Sequence, residues 1–153
     1  MPVNPIFSRE LAGQQVFTLE GRVAYTDSGT KILGSLPGGA RILDVFCDVE
    51  TLIDGTPTLL LGNQASALGG ISADTDSIMA SADIAPGTAG RKKMVAATLA
   101  AGALWPRVKK VPTDNGGVVN IITTLSFGGS PSQGAVNFVI TYTVPNQPTW
   151  WGL

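Results

Sequence analysis

Thr30-Lys31-Ile32-Leu33-Gly34-Ser35-Leu36-Pro37-Gly38-Gly39-Ala40-Arg41-Ile42-Leu43-Asp44-Val45-Phe46-Cys47-Asp48-Val49-Glu50 runs into a Gly/Pro break, and Thr58-Leu59-Leu60-Leu61-Gly62-Asn63 follows. Leu36 to Ala40 reads as a compact turn, because Pro pre-sets one backbone angle and Gly accepts a positive φ after it. Beyond the turn, Val45, Cys47 and Val49 fall on one face of an extended chain, with Asp44, Phe46, Asp48 and Glu50 on the other. The alternation is imperfect, since Ile42 and Leu43 are both apolar. The reading is a strand with one wet face, on which Phe46 is a large residue under a loop or against another chain. Leu59, Leu60 and Leu61 run without alternation, as a strand buried on both faces does.

Outward from this stretch the pattern repeats. Gln14 to Tyr25 alternates, with Gly21 expected as a bulge or bend. Val118 to Phe127 and Ala135 to Val144 are β-branched and aromatic enough to be strands. In the second, Val136, Phe138, Ile140, Tyr142 and Val144 share a face expected in the core. Asp74 to Met79 looks like a helix cap, through Asp74 or Thr75, followed by one or two helical turns. Asn115-Gly116 predicts a hairpin turn after an edge strand at Trp105 to Pro112. Met94 to Leu104 fits a short helix or strand and loop equally. With 19 glycines and 10 prolines in 153 residues, many turns and short strands are expected. About eight such strands give an all-β, two-sheet antiparallel β-sandwich with at most one or two short helices. The predicted division is an N-terminal arm over 1–13, a sandwich domain over 14–144 and a C-terminal arm over 145–153.

Composition excludes much chemistry. There is no His and one Cys, Cys47, so disulfides within the chain, thiolate zinc sites and His-based catalysis drop out. Cys47 reads as a small core residue. Asp44 and Asp48 on one strand face would stand ~13 Å apart, too far for the ~5–9.5 Å of a glycosidase pair. Asp74 to Asp76 lacks the Gly and Glu of a calcium loop. Gly87 to Lys92 lacks the ending of a phosphate loop. No catalytic, cofactor or metal residue is therefore expected. A net charge of −1 gives no general attraction to nucleic acid. The basic run Arg91-Lys92-Lys93 is expected to protect a strand edge or meet acidic protein surface. No apolar run approaches the ~18 residues of a membrane span, and the first residues do not form a signal peptide.

What remains is adhesion. Charged residues make up 14% of the chain and hydrophobic ones 44%. That charged share is well below the ~25% common in soluble domains, so neighbours are expected to cover part of the surface. Ile6 and Phe7 on the Pro-broken N-terminal arm, Trp105, and Trp150, Trp151 and Leu153 on the C-terminal arm are the candidate interface residues.

The segments Gly29 to Val45, Thr58 to Gly62 and Asp74 to Asp76 together resemble the head decoration, or capsid cement, proteins of tailed bacteriophages. The likeness spans about Val16 to Leu104 and the style of the last two strands. It implies a jelly-roll-like sandwich, assembling as homotrimers, that binds the major capsid protein on the outer surface of the virion. It supplies no catalytic residue. The alternatives are a receptor- or carbohydrate-binding sandwich of a head fibre or tail, a hydrolase on a β scaffold, and a shell subunit itself. The missing His disfavours the hydrolase, and the length typical of shell subunits disfavours the last.

Overall fold

The computed structural model describes residues 16–37, 40–65, 72–93 and 118–144. They form eight strands and one helical turn: β1 (Val16–Ala24), β2 (Gly29–Pro37), β3 (Arg41–Thr51), β4 (Pro57–Asn63), β5 (Asp74–Met79), α1 (Ser81–Ile84), β6 (Gly90–Lys93), β7 (Val118–Phe127) and β8 (Ala135–Thr143). One four-stranded sheet has the order β1-β8-β3-β6 and the other β2-β7-β4-β5. Every pairing is antiparallel. Two sheets with this strand order make a jelly-roll sandwich, and the all-β expectation is met.

The core follows from alternation. In β8, Val136, Phe138 and Ile140 are buried, while Tyr142 and Val144 at its end are half-buried. In β3, Ile42, Val45, Cys47 and Val49 are buried. The step from Ile42 to Val45 is three residues, which strict alternation forbids. A bulge explains it: the register against β8 shifts between Ile42 and Asp44, so Leu43 is the extra residue and turns outward. In β7, Val119, Ile121, Thr123 and Leu125 point inward, and β4 contributes Leu59 and Leu61. Leu60, between them, is half-buried on the other face. Each fully buried Ile, Leu or Phe contributes ~1.5–3 kcal/mol relative to exposure.

Two local expectations are corrected. Asp74 to Met79 is strand β5, not a capped helix. Its pairing with β4 buries Ser77, Ile78 and Met79 together, which outweighs the local preference of Asp and Ser for a cap. The helical turn comes later, at α1. Gly21 is not a bulge either; β1 stays in register with β8 from Val16 to Ala24. Its role is space. Leu33 of β2 packs where a Cβ on Gly21 would stand, and Leu19 of β1 packs in the same way over Gly34. This reciprocal fit closes the sandwich along its β1–β2 side. Lys31 completes the closure, donating to the Arg22 carbonyl at 3.0 Å and to Asp27 at 2.8 Å. Phe46, on the outer face of β3, has the Arg91 guanidinium of β6 4.6 Å from its ring centre.

Candidate assembly surfaces

The candidates Ile6, Phe7, Trp105, Trp150, Trp151 and Leu153 lie outside the described residues, as do the hairpin turn at Asn115-Gly116, the Trp105 edge strand and the 94–104 segment. Where the chain leaves and rejoins the sandwich is nevertheless fixed by register. The strands run alternately up and down, so one end of the sandwich holds the connections β1–β2, β3–β4, β5–β6 and β7–β8. The other end holds the start of β1, the end of β8 and the connections β2–β3, β4–β5 and β6–β7. Every segment outside the described residues joins the sandwich at this second end.

The first end is stitched by polar groups. The Asp54 carboxylate accepts from the Ser132 N–H at 2.7 Å, the Ser132 hydroxyl at 2.5 Å and the Gln133 N–H at 3.1 Å. These bonds, the hydroxyl's first, hold its carboxyl below the usual carboxylate range. Gly128 and Gly129 donate to the Thr56 and Gly55 carbonyls at 3.2 and 3.0 Å. Gly134 has φ +127°, and its missing Cβ leaves room for the Ile53 backbone. The Ile53 N–H reaches the Pro86 carbonyl, and the Ser81 hydroxyl accepts from the Leu59 N–H. Asp27 accepts from Lys31 and from the Ala24 N–H, which lower its pKa in that order of effect.

The second end is apolar at its rim. Val16 is 59% exposed, Phe17 40%, Leu43 44% and Val118 50%. All sit in the last rows of the sheets: Val16 opposite Thr143, Phe17 opposite Tyr142, Leu43 in the bulge beside Ile42, and Val118 opposite Pro37. Phe17 and Tyr142 stack with ring centres 5.6 Å apart. Sequence reading passed over these residues because each alternates normally or hides in a bulge. Only the strand ends mark them.

The outer faces also differ. On the β1-β8-β3-β6 sheet the charges pair with each other. Arg91 grips Asp48 through two bonds of 2.9 Å, Arg22 meets Glu50 at 3.3 Å, and Lys93 lies 3.7 Å from Asp44. Asn137 also donates to Glu50. The Arg91 bond is the main cause of a lowered Asp48 pKa. The basic run thus occupies an edge strand and meets acidic surface of its own chain. Across β2, β7 and β4, the opposite outer face carries uncharged groups: Ser35 donates to Asn120 at 2.6 Å, and Asn120 donates to Gln64 at 3.0 Å.

Catalytic geometry does not emerge among the described residues. Burial pushes the Cys47 thiol up to about 11, so it is un-ionised at neutral pH. Asp74 and Asp76 are close enough that hydrogen bonding between them, then burial and the Asp74 charge, raise the Asp76 pKa. No cluster of three or more metal-ligating side chains occurs among the described residues. Nor is any helix there long and apolar enough to cross a membrane.

No family model and no curated protein matches the chain. Its fold is similar to chains of three phage capsids. A chain of the cyanophage Pam1 capsid asymmetric unit is 20% identical, with a TM-score of 0.57 and 87% of each chain covered. A chain in the acidic stable capsid structure of Helicobacter pylori bacteriophage KHP30 is 10% identical, with a TM-score of 0.57 over 86% of this chain and 89% of that one. A chain from the capsid of Ralstonia phage GP4 is 17% identical, with a TM-score of 0.50 over 88% and 86%. At these identities the likeness is one of fold: a two-sheet β-sandwich of this length that occurs within phage capsids.

Proposed function

We propose that this protein is a non-enzymatic structural component of a phage virion. It binds the major capsid protein on the outer surface of the shell, across subunit boundaries, as a homo-oligomer expected to be a trimer. The observation that carries this reading is the end-to-end likeness to chains of three phage capsids, each covered to 86% or more. Neighbours covered so fully are about as long as this chain, which fits a small capsid component. The low charged share, 14%, supports burial against neighbours.

The mechanism is additive. Apolar contact at ~25 cal/mol per Å² is modest for one copy but repeats with the symmetry of the shell. An oligomer that engages several subunits at once gains further apparent affinity from the shared tether. The sandwich supplies a rigid strut, because its closed end and its paired outer charges leave few groups to rearrange on binding.

Capsids assembled without this protein, from the phage that encodes it, provide the test. Purified protein added to them should co-sediment to a saturating ratio and raise the temperature at which the particles release their genome. Free protein left in the supernatant, with no change in release temperature, would overturn the proposal.

A further inference from the structure

Asp54 is the one aspartate of the chain that is followed by glycine. Glycine carries no Cβ to shield its nitrogen, so an Asp-Gly step is where a backbone most readily turns on its own side chain. In that reaction the Gly55 main-chain nitrogen attacks Cγ of the protonated Asp54 carboxyl. The N–Cγ bond forms, the Cγ–OH bond breaks, and the amide proton leaves with the hydroxyl as water. Water then opens the cyclic imide at either carbonyl. One opening restores aspartate; the other leaves isoaspartate, with the main chain routed through Cβ. The sequence of steps consumes and releases water and needs no oxidant, reductant or other reagent.

Water reaches this step, since Asp54 and Gly55 are both half-exposed. The β7–β8 connection nevertheless holds it in place. Oδ1 of Asp54 accepts from the Ser132 and Gln133 N–H groups at 2.7 and 3.1 Å, and Oδ2 accepts from the Ser132 hydroxyl at 2.5 Å. The Asp54 N–H donates to the Gln133 carbonyl at 3.4 Å, and the Gly55 carbonyl accepts from the Gly129 N–H at 3.0 Å. Gly55 has φ +77°, and the Pro131 nitrogen stands 2.9 Å from where its Cβ would be. Ring closure has to swing the carboxyl off this loop and onto the Gly55 nitrogen, and it expels one of the two oxygens that the loop holds. The same bonds favour the ionised carboxylate, which has no hydroxyl to lose.

From these contacts we infer that Asp54-Gly55 is a site of spontaneous isoaspartate formation, which the clamp from Ser132 and Gln133 holds off while this end of the sandwich is intact. Clamp and modification exclude each other. Isoaspartate lengthens the main chain by a methylene and shortens the side chain by the same group, so the carboxylate no longer meets Ser132 and Gln133 as it does here. The inference stands on this end alone and does not depend on the capsid reading.

Peptide mapping of the full chain after weeks in mildly acidic buffer tests it, with electron-transfer fragmentation to separate isoaspartate from aspartate at residue 54. The folded wild type should isomerise there at least about tenfold more slowly than the same chain unfolded in guanidinium chloride, because a reacting pair held apart loses its near-attack geometry. Ser132→Ala, which removes the hydroxyl and keeps the N–H, should fall between the two. Ser132→Thr, which keeps both donors, should match the wild type, and so should Ser35→Ala at the opposite end. Far-UV circular dichroism confirms that each variant stays folded through the incubation. A folded wild type that isomerises as fast as the unfolded chain would overturn the inference, and so would an unfolded chain that remains aspartate. Ser132→Ala and Ser35→Ala behaving alike would remove the clamp from the explanation.

Discussion

The two ends of this sandwich solve the same problem in opposite ways. At one, four connections satisfy their backbone groups with each other, through Asp27, Asp54, Ser81 and Ser132 and the carbonyls of Gly55, Thr56 and Pro86. At the other, the strands stop at half-exposed apolar residues, and the chain runs on into segments rich in Pro, Ala and Trp. A polar end completed within one chain needs nothing from outside. An apolar end gains from whatever covers it. The difference teaches that the polar connections that complete the fold and the exposed apolar side chains occupy separate regions.

The largest effect should come from forcing the closed end apart. Gly134→Ala places a methyl against the Ile53 backbone at a φ of +127°. Strain and overpacking together should cost ~3 kcal/mol or more, read from the urea midpoint. A variant as stable as the wild type would show that this crossover does not hold that end.

Next comes acid. Asp54 has a folded pKa below its ordinary 3.8, so its contribution is present above pH 3.8 and fades as pH falls through the folded value. Asp54→Asn should therefore lower the melting temperature at neutral pH, and the gap from wild type should close below that range. A gap that persists in strong acid would assign the effect to lost shape rather than lost charge.

A smaller effect of opposite sign is expected at the other end. Asp76 at the start of β5 has a raised pKa, so its ionised form weakens the fold at neutral pH and the penalty disappears below pH 3.8. Asp76→Asn should slightly raise the melting temperature at pH 7 and leave it unchanged near pH 3. The smallest effect belongs to Val118→Ser on the rim. Under conditions that keep the protein a single chain, it should shift stability by no more than ~0.5 kcal/mol. A larger loss would mean that the rim already belongs to the core.

Much of the fold was readable because burial writes itself as alternation. Val136, Phe138 and Ile140 announced β8, and Val45, Cys47 and Val49 announced β3. What escaped was set by partners far along the chain. Leu43 gave no local sign of a bulge, since the extra residue exists only relative to β8. Asp74-Thr75-Asp76 carries the chemistry of a cap, and only pairing with β4 makes it a strand. Gly21 looked like a break in β1, whereas it is the space that Leu33 occupies across the sandwich. The apolar rim was hidden for a related reason. Val16, Phe17 and Val118 are ordinary strand residues until topology gathers the strand ends on one side. Low charge suggested burial against neighbours without saying where, and Trp150 and Trp151 lie outside the described residues.

Hydrogen–deuterium exchange of the full chain, compared between dilute and concentrated solution, tests the division between the two ends most directly. Peptides covering residues 16–18, 41–43, 118–120 and 141–144 should gain protection as copies associate, while 25–29, 52–56 and 128–134 should exchange alike in both. Protection gained at the Asp54 end, with the rim unchanged, would contradict the account.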